Sequence, residues 1–235
     1  MGLKKNDTKW LLEQRIKVFK ESRALAHLDK DQLSELAASA VTCHFKKGDY
    51  VIHEGDPAEF FYIIQDGRVK LYKESSFGKN FTVHIAIHGN AINAMALFEG
   101  GAHFLSAQAM DDITVLRIKR EKWMSFTNKY PSTFTKILAV QTGIIKSAYE
   151  RIIDLVGERV DQRLYNVLLM LSVKFGNTLF FTCEEIGDLV GTTTETTIRI
   201  FRRLKTMGVI RSSRGKIVII DQKTLRELSM TPYFL

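Results

Sequence analysis

The sequence of 235 residues predicts an α+β fold, in which an antiparallel β-barrel of the jelly-roll type is followed by one long helix and a carboxyl-terminal winged helix-turn-helix. Three patterns predict this fold. Short β-branched and aromatic runs separated by turn signals occupy residues 41–119, a helical pattern follows Pro131, and two capped helical segments with a hairpin end the chain. We expect domain boundaries that divide the chain into 1–130, 131–157 and 158–235.

The composition is that of an ordinary globular protein, with 45% hydrophobic and 26% charged residues. No apolar stretch approaches the ~18 residues that cross a bilayer, and the start of the chain is polar and charged, unlike a signal peptide. We therefore expect a cytoplasmic protein with no membrane partner. Its two cysteines, Cys43 and Cys183, are too few for a disulfide framework, a four-thiolate zinc site or a cysteine-only iron–sulfur cluster.

The amino-terminal segment has helical spacing, and the region after it contains strands at intervals of roughly 8–12 residues, which are typical of a sandwich or barrel. Asp66 and Gly67 lie between two such runs, at 60–64 and 69–72. Because both central residues of a tight turn must tolerate a positive φ, this pair predicts a short hairpin.

The helix after Pro131 is expected to end near Val156, before Gly157. Its apolar positions alternate in steps of four and three, which is the spacing of a coiled-coil seam. The predicted dimer seam consists of Phe134, Leu138, Gln141, Ile145, Ala148, Ile152 and Leu155. This spacing favours dimerisation, although one long helix packed on its own barrel would show a similar pattern over so short a repeat.

Two capping boxes define the helix-turn-helix. Thr182 and Glu185 are spaced to satisfy each other's free amides at the start of a short helix that ends at Gly191. A second box, Thr192 with Glu195, is expected to begin the next helix. A hairpin over residues 209–220 then completes a winged helix.

Positive charge is concentrated in this module. Residues 195–216 contain seven basic residues and one acidic residue, so that most of the net charge of +8 lies in 22 positions. Ile200, Phe201 and Leu204 form the core-facing stripe of the second helix. The side that can enter a major groove carries Thr194, Glu195, Ile198, Arg199 and Arg202. The cations better suited to phosphates are Arg203, Lys205, Arg211, Arg214 and Lys216.

Each of these residues also has a plainer interpretation, since Glu195 can be a helix cap and the arginines a solvated helix face. The helix-turn-helix, the localised charge and the basic wing nevertheless agree with one another. Together they predict binding to double-stranded DNA.

Several motifs resemble the Crp/Fnr family of bacterial transcription regulators over nearly the whole chain. In the winged helix they are FTCEEIGDLVG at 181–191, TETTIR at 194–199 and LKTMGVI at 204–210. In the β-region, GD at 48–49, GD at 55–56, FYII at 61–64 and DGRVK at 66–70 look like the family's cyclic-nucleotide-binding-type barrel, which serves as the sensory domain.

The resemblance implies a homodimer that binds an inverted repeat, with Glu195 and Arg199 as base-reading residues and RNA polymerase as a partner. Dimer symmetry places the half-sites about one helical turn apart. Where the cyclic-AMP-responsive branch has an arginine before the glutamate, this sequence has Thr194, so we expect a different half-site.

The effector is harder to predict. Nucleotide-binding family members carry Gly-Glu and, after a gap, Arg-Ser-Ala, whereas the matching positions here include Ala94 and Leu105. We therefore expect no binding of cyclic AMP in the usual way. A hydrophobic effector, or none, remains open. The candidate effector pocket comprises Asn93, Met95, Ala96, Leu105 and Ser106.

The cofactor is unknown from the sequence. The family's iron–sulfur branch has four ligating cysteines, which this chain lacks. A haem-dependent sensor of diatomic gases is an alternative, because several side chains can ligate haem iron. They are His27, Cys43, His44, His84, His88 and His103, and none has a diagnostic spacing.

A cupin-like metal enzyme is a second alternative, but His84 and His88 are the nearest approach to its ligand motif, and neither a His-x-His pair nor a following glutamate in register is present. The sequence also lacks a glycine-rich phosphate loop, a nucleophile elbow and a zinc-protease helix. We expect no metal site and no enzymatic activity.

Overall fold

A computed structural model describes residues 5–92 and 94–230 of the chain. Its first part contains four helices and eight strands. In order they are α1 (Lys5–Glu21), α2 (Lys30–Ser39), β1 (Val41–Phe45), β2 (Tyr50–Ile52), β3 (Phe60–Asp66), β4 (Val69–Glu74), β5 (Asn80–Ala86), β6 (Ala91–Ile92), α3 (Ala94–Glu99), β7 (Ser106–Ala109), β8 (Ile113–Lys119) and α4 (Arg120–Lys129).

The eight strands form two four-stranded antiparallel sheets, with strand orders β1-β8-β3-β6 and β2-β7-β4-β5. Side chains of both sheets share one buried cluster, to which Val51, Ile64, Leu71 and Val115 contribute. The antiparallel, jelly-roll-like class is confirmed. Its form differs from the prediction, because the described strands make two sheets rather than one closed barrel.

The hairpin predicted at Asp66 and Gly67 is wrong. Strand β3 lies between β8 and β6, whereas β4 lies between β7 and β5, so the turn carries the chain from one sheet to the other. Gly67 has a φ of 84°, and a Cβ at this position would lie 2.6 Å from Cγ2 of Ile113. The glycine is therefore required both by the turn and by its close approach to β8.

The helices around the sheets close a second core. Trp123 of α4 is fully buried and stacks on Phe61 of β3, with ring centroids 3.7 Å apart. Helix α2 begins with a capping box, in which Asp29 accepts from the backbone N–H of Gln32 at 2.9 Å and the Gln32 side chain accepts in return. This core is built from large apolar side chains, whose burial is the main stabilising contribution of such a layer.

The remaining elements are α5 (Ser132–Gly157), α6 (Val160–Phe175), β9 (Thr178–Leu179), α7 (Cys183–Val190), α8 (Thr194–Thr206), β10 (Ile210–Ser213), β11 (Lys216–Ile219) and α9 (Gln222–Met230). The chain divides into two units. The first comprises the residues up to Lys73 and Val83–Lys146, and the second comprises Glu74–Thr82 and the residues from Ser147 onward. The predicted boundaries after 130 and 157 stay a prediction. Among the described helices, none has the length and apolar character that a membrane span requires.

Candidate nucleic-acid interface

The first helix of the helix-turn-helix, α7, starts with the predicted capping box. The backbone N–H of Thr182 donates to Oε2 of Glu185 at 2.7 Å, and the Glu185 N–H donates to Oγ1 of Thr182 at 3.1 Å. The helix ends at Gly191, which has the left-handed conformation with φ 74° and ψ 46°. The turn that redirects the chain into α8 is therefore set by local chemistry at both ends of α7.

Helices α7 and α8 approach each other closely at Gly187. A Cβ on this glycine would lie 3.2 Å from both the carbonyl oxygen of Thr192 and Oγ1 of Thr197. Thr197 is fully buried, and its hydroxyl donates to the carbonyl of Thr193 at 3.1 Å. A side chain at position 187 would therefore require neighbouring atoms of the crossing to shift.

The amino-terminal cap of α8 is one residue later than predicted. The cap is Thr193, which has an extended backbone conformation, and its Oγ1 accepts from the backbone N–H of Thr196 at 3.2 Å. The predicted box of Thr192 with Glu195 is therefore wrong in register. Three consecutive threonines can each serve as a cap, and the Thr192 carbonyl is the one packed against Gly187.

Glu195 lies in the first turn of α8 with an exposed side chain. Hydrogen bonds from its own backbone N–H and from the Thr193 side chain hold the pKa of its carboxyl below the ordinary value. The carboxylate is therefore ionised at neutral pH. It lies in the first helical turn, two residues after the cap, and is accessible to a partner.

The two sides of α8 differ sharply in burial. Its inner side contains the buried residues Thr197, Ile200, Phe201 and Leu204, which include the predicted core stripe. On the outer side, Arg199 and Arg202 are exposed together with Glu195, while Thr194 and Ile198 are half-buried. The helix therefore presents a carboxylate and two guanidinium groups within two turns of one another.

Arg203 differs from its neighbours on α8. Its Nη1 lies 3.6 Å from Oδ2 of Asp161, a carboxylate that is only 12% exposed in the first turn of α6. Oδ1 of the same aspartate lies 3.6 Å from Nε of Arg159. Arg203 is thus an ion-pair partner within the unit as well as a candidate phosphate contact. Both Arg203 and Lys205 are exposed.

Strands β10 and β11 form the wing as an antiparallel pair in which Ser213 faces Lys216. Gly215 closes the turn with a φ of 71°. Arg211, Arg214 and Lys216 are exposed, and the ammonium of Lys216 lies 5.8 Å from the ring centroid of Phe180. The exposed cations of α8 and of the wing belong to the same unit.

Helix α5 leaves most of its predicted seam uncovered. The exposed seam residues are Phe134, Leu138, Ile145, Ile152 and Leu155, while Gln141 and Ala148 are half-buried. Three further large apolar residues of the helix are exposed as well, Tyr149, Ile153 and Val156. These three were not part of the predicted seam, although they are visible in the sequence as apolar neighbours of it.

The candidate effector residues lie in different surroundings. Ala96 is buried in the cluster around Trp123, and Leu105 packs against the cluster between the sheets. Met95 is exposed, and the Ser106 hydroxyl accepts from the backbone N–H of Glu54 at 3.0 Å. Asn93 lies outside the described residues.

The first unit has two cavities next to each other, of 180 and 480 Å³, which share Pro57, Glu59 and Phe60 in their walls. Tyr62 and the buried His103 line the smaller one. The walls of these two cavities thus come from residues other than the candidate effector positions.

Several of the candidate haem ligands are hydrogen-bonded to other groups of the protein. His44 is hydrogen-bonded to Thr114 at 3.1 Å, and His88 bridges the Gln65 carbonyl and Glu21. Burial lowers the pKa of His103 from its ordinary value. His27 contacts Ser132 at 3.2 Å, and His84 and Cys43 are half-buried. Over residues 5–92 and 94–230, no group of three or more histidine, cysteine or acidic side chains is arranged to hold a metal ion.

Known proteins share both parts of this architecture. Residues 42–130 match the family model of the Cyclic nucleotide-binding domain, and residues 162–228 match that of the Crp-like helix-turn-helix domain. The Nitrogen fixation regulation protein FixK of Bradyrhizobium diazoefficiens is 26% identical over 216 residues, which cover 88% of this chain and 90% of the relative.

The Cyclic AMP receptor protein of Thermus thermophilus is 24% identical over 186 residues, covering 79% of this chain and 86% of the relative. The crystal structure of a CRP/FNR-family transcriptional regulator from the same species superposes with a TM-score of 0.69 at 28% identity, covering 81% of this chain and 99% of that one. Both domain matches occur in one chain, these relatives match most of its length, and the chain therefore belongs to the Crp/Fnr family of bacterial transcription regulators.

Proposed function

We propose that this transcription regulator acts as a homodimer whose two α8 helices read the halves of an inverted repeat in double-stranded DNA. The observation that carries the proposal is the two-sided burial of α8. Ile200, Phe201 and Leu204 anchor the helix, while Arg199 and Arg202 project from its opposite side. An anchored helix with an exposed polar face is the element that reads base edges in a major groove.

The exposed residues divide by chemistry. Arg199 is proposed to donate two hydrogen bonds to a guanine, Glu195 to accept from a cytosine amino group, and Ile198 to contact a thymine methyl. The guanidinium and ammonium groups of the wing, with Arg203 and Lys205, are proposed to contact phosphates. Phosphate contacts position the module and make binding salt-dependent, whereas base contacts give the sequence preference.

Dimerisation is proposed to occur through α5. Five apolar side chains of its seam are exposed in a single chain, and a second copy would cover them. A twofold dimer places its recognition helices ~34–36 Å apart, which corresponds to half-sites one helical turn apart.

Further parts of the proposal follow from the family. A regulator of bacterial promoters works in the cytoplasm and contacts RNA polymerase there, and it has no need of catalysis. We include these three properties in the proposal because one relative is named a regulation protein and one solved structure is named a transcriptional regulator.

The proposed regulator does not use cyclic AMP in the family's usual way. A cyclic nucleotide needs a cation for its phosphate and an acceptor for its ribose hydroxyl. At the matching positions Ala94 is fully buried and Leu105 packs among apolar side chains, so neither supplies the required group.

Selection of bound sequences from a random DNA pool tests the proposed function most directly. We expect a palindrome whose half-site differs from that of the cyclic-AMP-responsive branch. Light scattering of the purified protein should give the mass of two subunits. A protein that stays a single subunit and selects no sequence at any salt concentration would refute the proposal.

A calorimetric titration with cyclic AMP tests the effector part separately. We expect no saturable heat from the wild type and a gain from L105R, which restores the cation. Saturable binding by the wild type that L105R improves only slightly would show that the nucleotide is held by other groups.

A further inference from the structure

Arg151 occupies an unusual position in the second unit. It belongs to α5 and is half-buried. Its Nη1 donates to the carbonyl of Thr82 at 2.8 Å and its Nη2 to the carbonyl of Leu189 at 2.5 Å. The guanidinium carbon also lies 4.6 Å from the ring centroid of Phe81. One side chain thus joins α5, the segment Glu74–Thr82 and the end of α7.

The Leu189 carbonyl is in the last turn of α7, where unpaired carbonyl groups give a helix a partial negative charge. A cation near this end is favourable, and two arginines from other helices lie there, Arg151 and Arg163. Arg163 of α6 donates from Nε to the next carbonyl, that of Val190, at 3.3 Å. The carboxyl end of α7 is therefore held from two sides by arginines on α5 and α6.

The turn between α7 and α8 is packed against the same elements. A Cβ on Gly191 would lie 3.2 Å from Cδ2 of Leu155 in α5 and 3.3 Å from Cε2 of Phe81. Contacts of this kind leave little room for the helix-turn-helix to rotate relative to the end of α5. The hydrogen bonds of Arg151 also fix the relative orientation of these elements, because the N–H groups of a planar guanidinium point in fixed directions.

Burial of Arg151 carries a desolvation cost that a side chain with a purely structural role would not need. Desolvation lowers the pKa of the guanidinium from its ordinary value, and Asp154 is the acidic group that opposes this shift. An apolar side chain would fill the same space without removing a charge from water. The hydrogen bonds to backbone carbonyls of two separate segments are what an apolar residue cannot supply.

We propose that Arg151 is a positioning residue for DNA recognition, which fixes the helix-turn-helix on the end of α5 and so sets the separation of the two recognition helices in the dimer. This inference rests on the proposed dimeric function. Base recognition itself belongs to residues of α8. The loss of Arg151 therefore changes which spacing between the two half-sites the dimer accepts, and it does not change which bases are preferred.

The test uses the full-length protein and three forms of its selected operator, one unchanged and two with two base pairs added to or removed from the centre. Two base pairs rotate one half-site by about 70° relative to the other, since a turn of DNA has ~10–10.5 base pairs. We expect the wild type to bind the altered operators at least about tenfold more weakly, which corresponds to ~1.4 kcal/mol.

For R151M we expect this discrimination to fall below about threefold, with the preference for guanine in each half-site unchanged. R151Q retains an amide donor and should give an intermediate value. The matched control is R226M, which replaces an exposed arginine of α9 in the same unit. It should discriminate between the three operators as the wild type does.

The inference is overturned if R151M is folded and dimeric and still discriminates between the three operators as strongly as the wild type does. A residue that only stabilises the fold would leave the preferred spacing of the half-sites unchanged. If R151M does not fold, the same criterion applies to R151Q. A wild type that selects no palindrome or forms no dimer contradicts the proposed function instead, so the two failures are distinguishable.

Discussion

Several cations of the first unit differ from the clustered cations of α8 and the wing in being paired within the fold. In the first unit, Arg68 makes a bidentate ion pair with Asp111, at 2.6 and 2.7 Å, and Lys46 pairs with Asp112 at 2.7 Å. Lys129 of the same unit pairs with Glu35 at 2.8 Å. These charges are neutralised by nearby parts of the same fold.

The carboxyl-terminal unit leaves a cluster of cations without such neutralisation. Within the part of the chain that the structure describes, no carboxylate lies within 4.0 Å of the guanidinium groups of Arg199, Arg202, Arg211 and Arg214. Like charges at close range repel each other, so a cluster of this kind is most stable beside a polyanion. The close grouping of cations without a carboxylate partner therefore distinguishes this surface from the paired cations of the first unit.

The largest expected effect on operator affinity comes from α5, the helix through which two copies of the cation cluster are proposed to be brought together. L138E places a charge in the predicted seam of α5 and should yield monomers. Because two linked sites bind more tightly than one by ~10²–10⁴-fold, we expect a loss of affinity for the selected operator of at least about 100-fold. Light scattering and fluorescence anisotropy measure the two properties.

A139E is the matched control for that substitution, since Ala139 is exposed on the same helix outside the seam. It should remain dimeric and bind as the wild type does. A dimeric L138E protein would show that the subunits associate through another surface.

The next largest effect tests whether Arg199, one of the unpaired cations, contacts a base or a phosphate. R199A should lose ~1–3 kcal/mol at one guanine of each half-site and bind operators with another base there equally well. Competition between operator variants measures the preference. An equal loss on every sequence would remove Arg199 from the base-reading role and leave it a phosphate contact.

A paired cation should behave in the opposite way. R68M removes the bidentate partner of Asp111 and should lower the free energy of unfolding by ~1–2 kcal/mol, with no change in operator affinity. Arg68 is 18% exposed, which makes this pair less screened than a surface pair. Denaturant titration gives the first quantity, and a weakened affinity for DNA would contradict the distinction between the two units.

K216A tests the wing. Because Lys216 is assigned to a phosphate, its loss should weaken binding to all sequences alike and reduce the slope of log affinity against log salt by about 1. Anisotropy titrations at several salt concentrations provide the slope. A change in base preference with an unaltered slope would assign Lys216 to base recognition.

The smallest effect is a pH dependence of stability. Hydrogen bonds from the hydroxyl and the backbone N–H of Thr224 depress the pKa of Asp221, which precedes α9. A depressed pKa stabilises the fold above the ordinary aspartate value, and this contribution is lost as the pH falls through the folded value. D221N should therefore be less stable than the wild type at neutral pH, and the difference should shrink under acid.

Thermal unfolding at several pH values measures this difference. T224A is a second variant for the same purpose, because it removes the hydroxyl donor and leaves the carboxylate in place. A difference between D221N and the wild type that stays constant from neutral to acidic pH would show that the carboxylate charge makes no contribution.

Much of the carboxyl-terminal unit was predictable from the sequence because its signals are local. The box of Thr182 with Glu185 and the amphipathic side of α8 involve residues within a few positions of one another. The error in the second cap has a longer-range cause. Thr193 is selected over Thr192 where α7 and α8 pack together at Gly187, and that contact is not visible in a run of three threonines.

The first unit was less predictable, since its arrangement depends on pairings between distant strands. The pair Asp66 and Gly67 has the composition of a hairpin turn, yet the strands on either side join different sheets. The effector positions show the same limit, because Ala96 and Leu105 are close in sequence but belong to different clusters. Arg151 was not predicted at all, since its acceptors are backbone carbonyls 69 and 38 positions away.

The ion pair of Arg203 with Asp161 has a consequence for the thermodynamics of binding. A guanidinium that already has an anionic neighbour in the free protein meets a phosphate by exchanging one partner for another. The phosphate still sheds its condensed counterion, but separation from Asp161 offsets part of the free energy gained. Among the seven basic residues between 195 and 216, Arg203 should therefore contribute least to the total affinity, even if it contacts the duplex as closely as the others do.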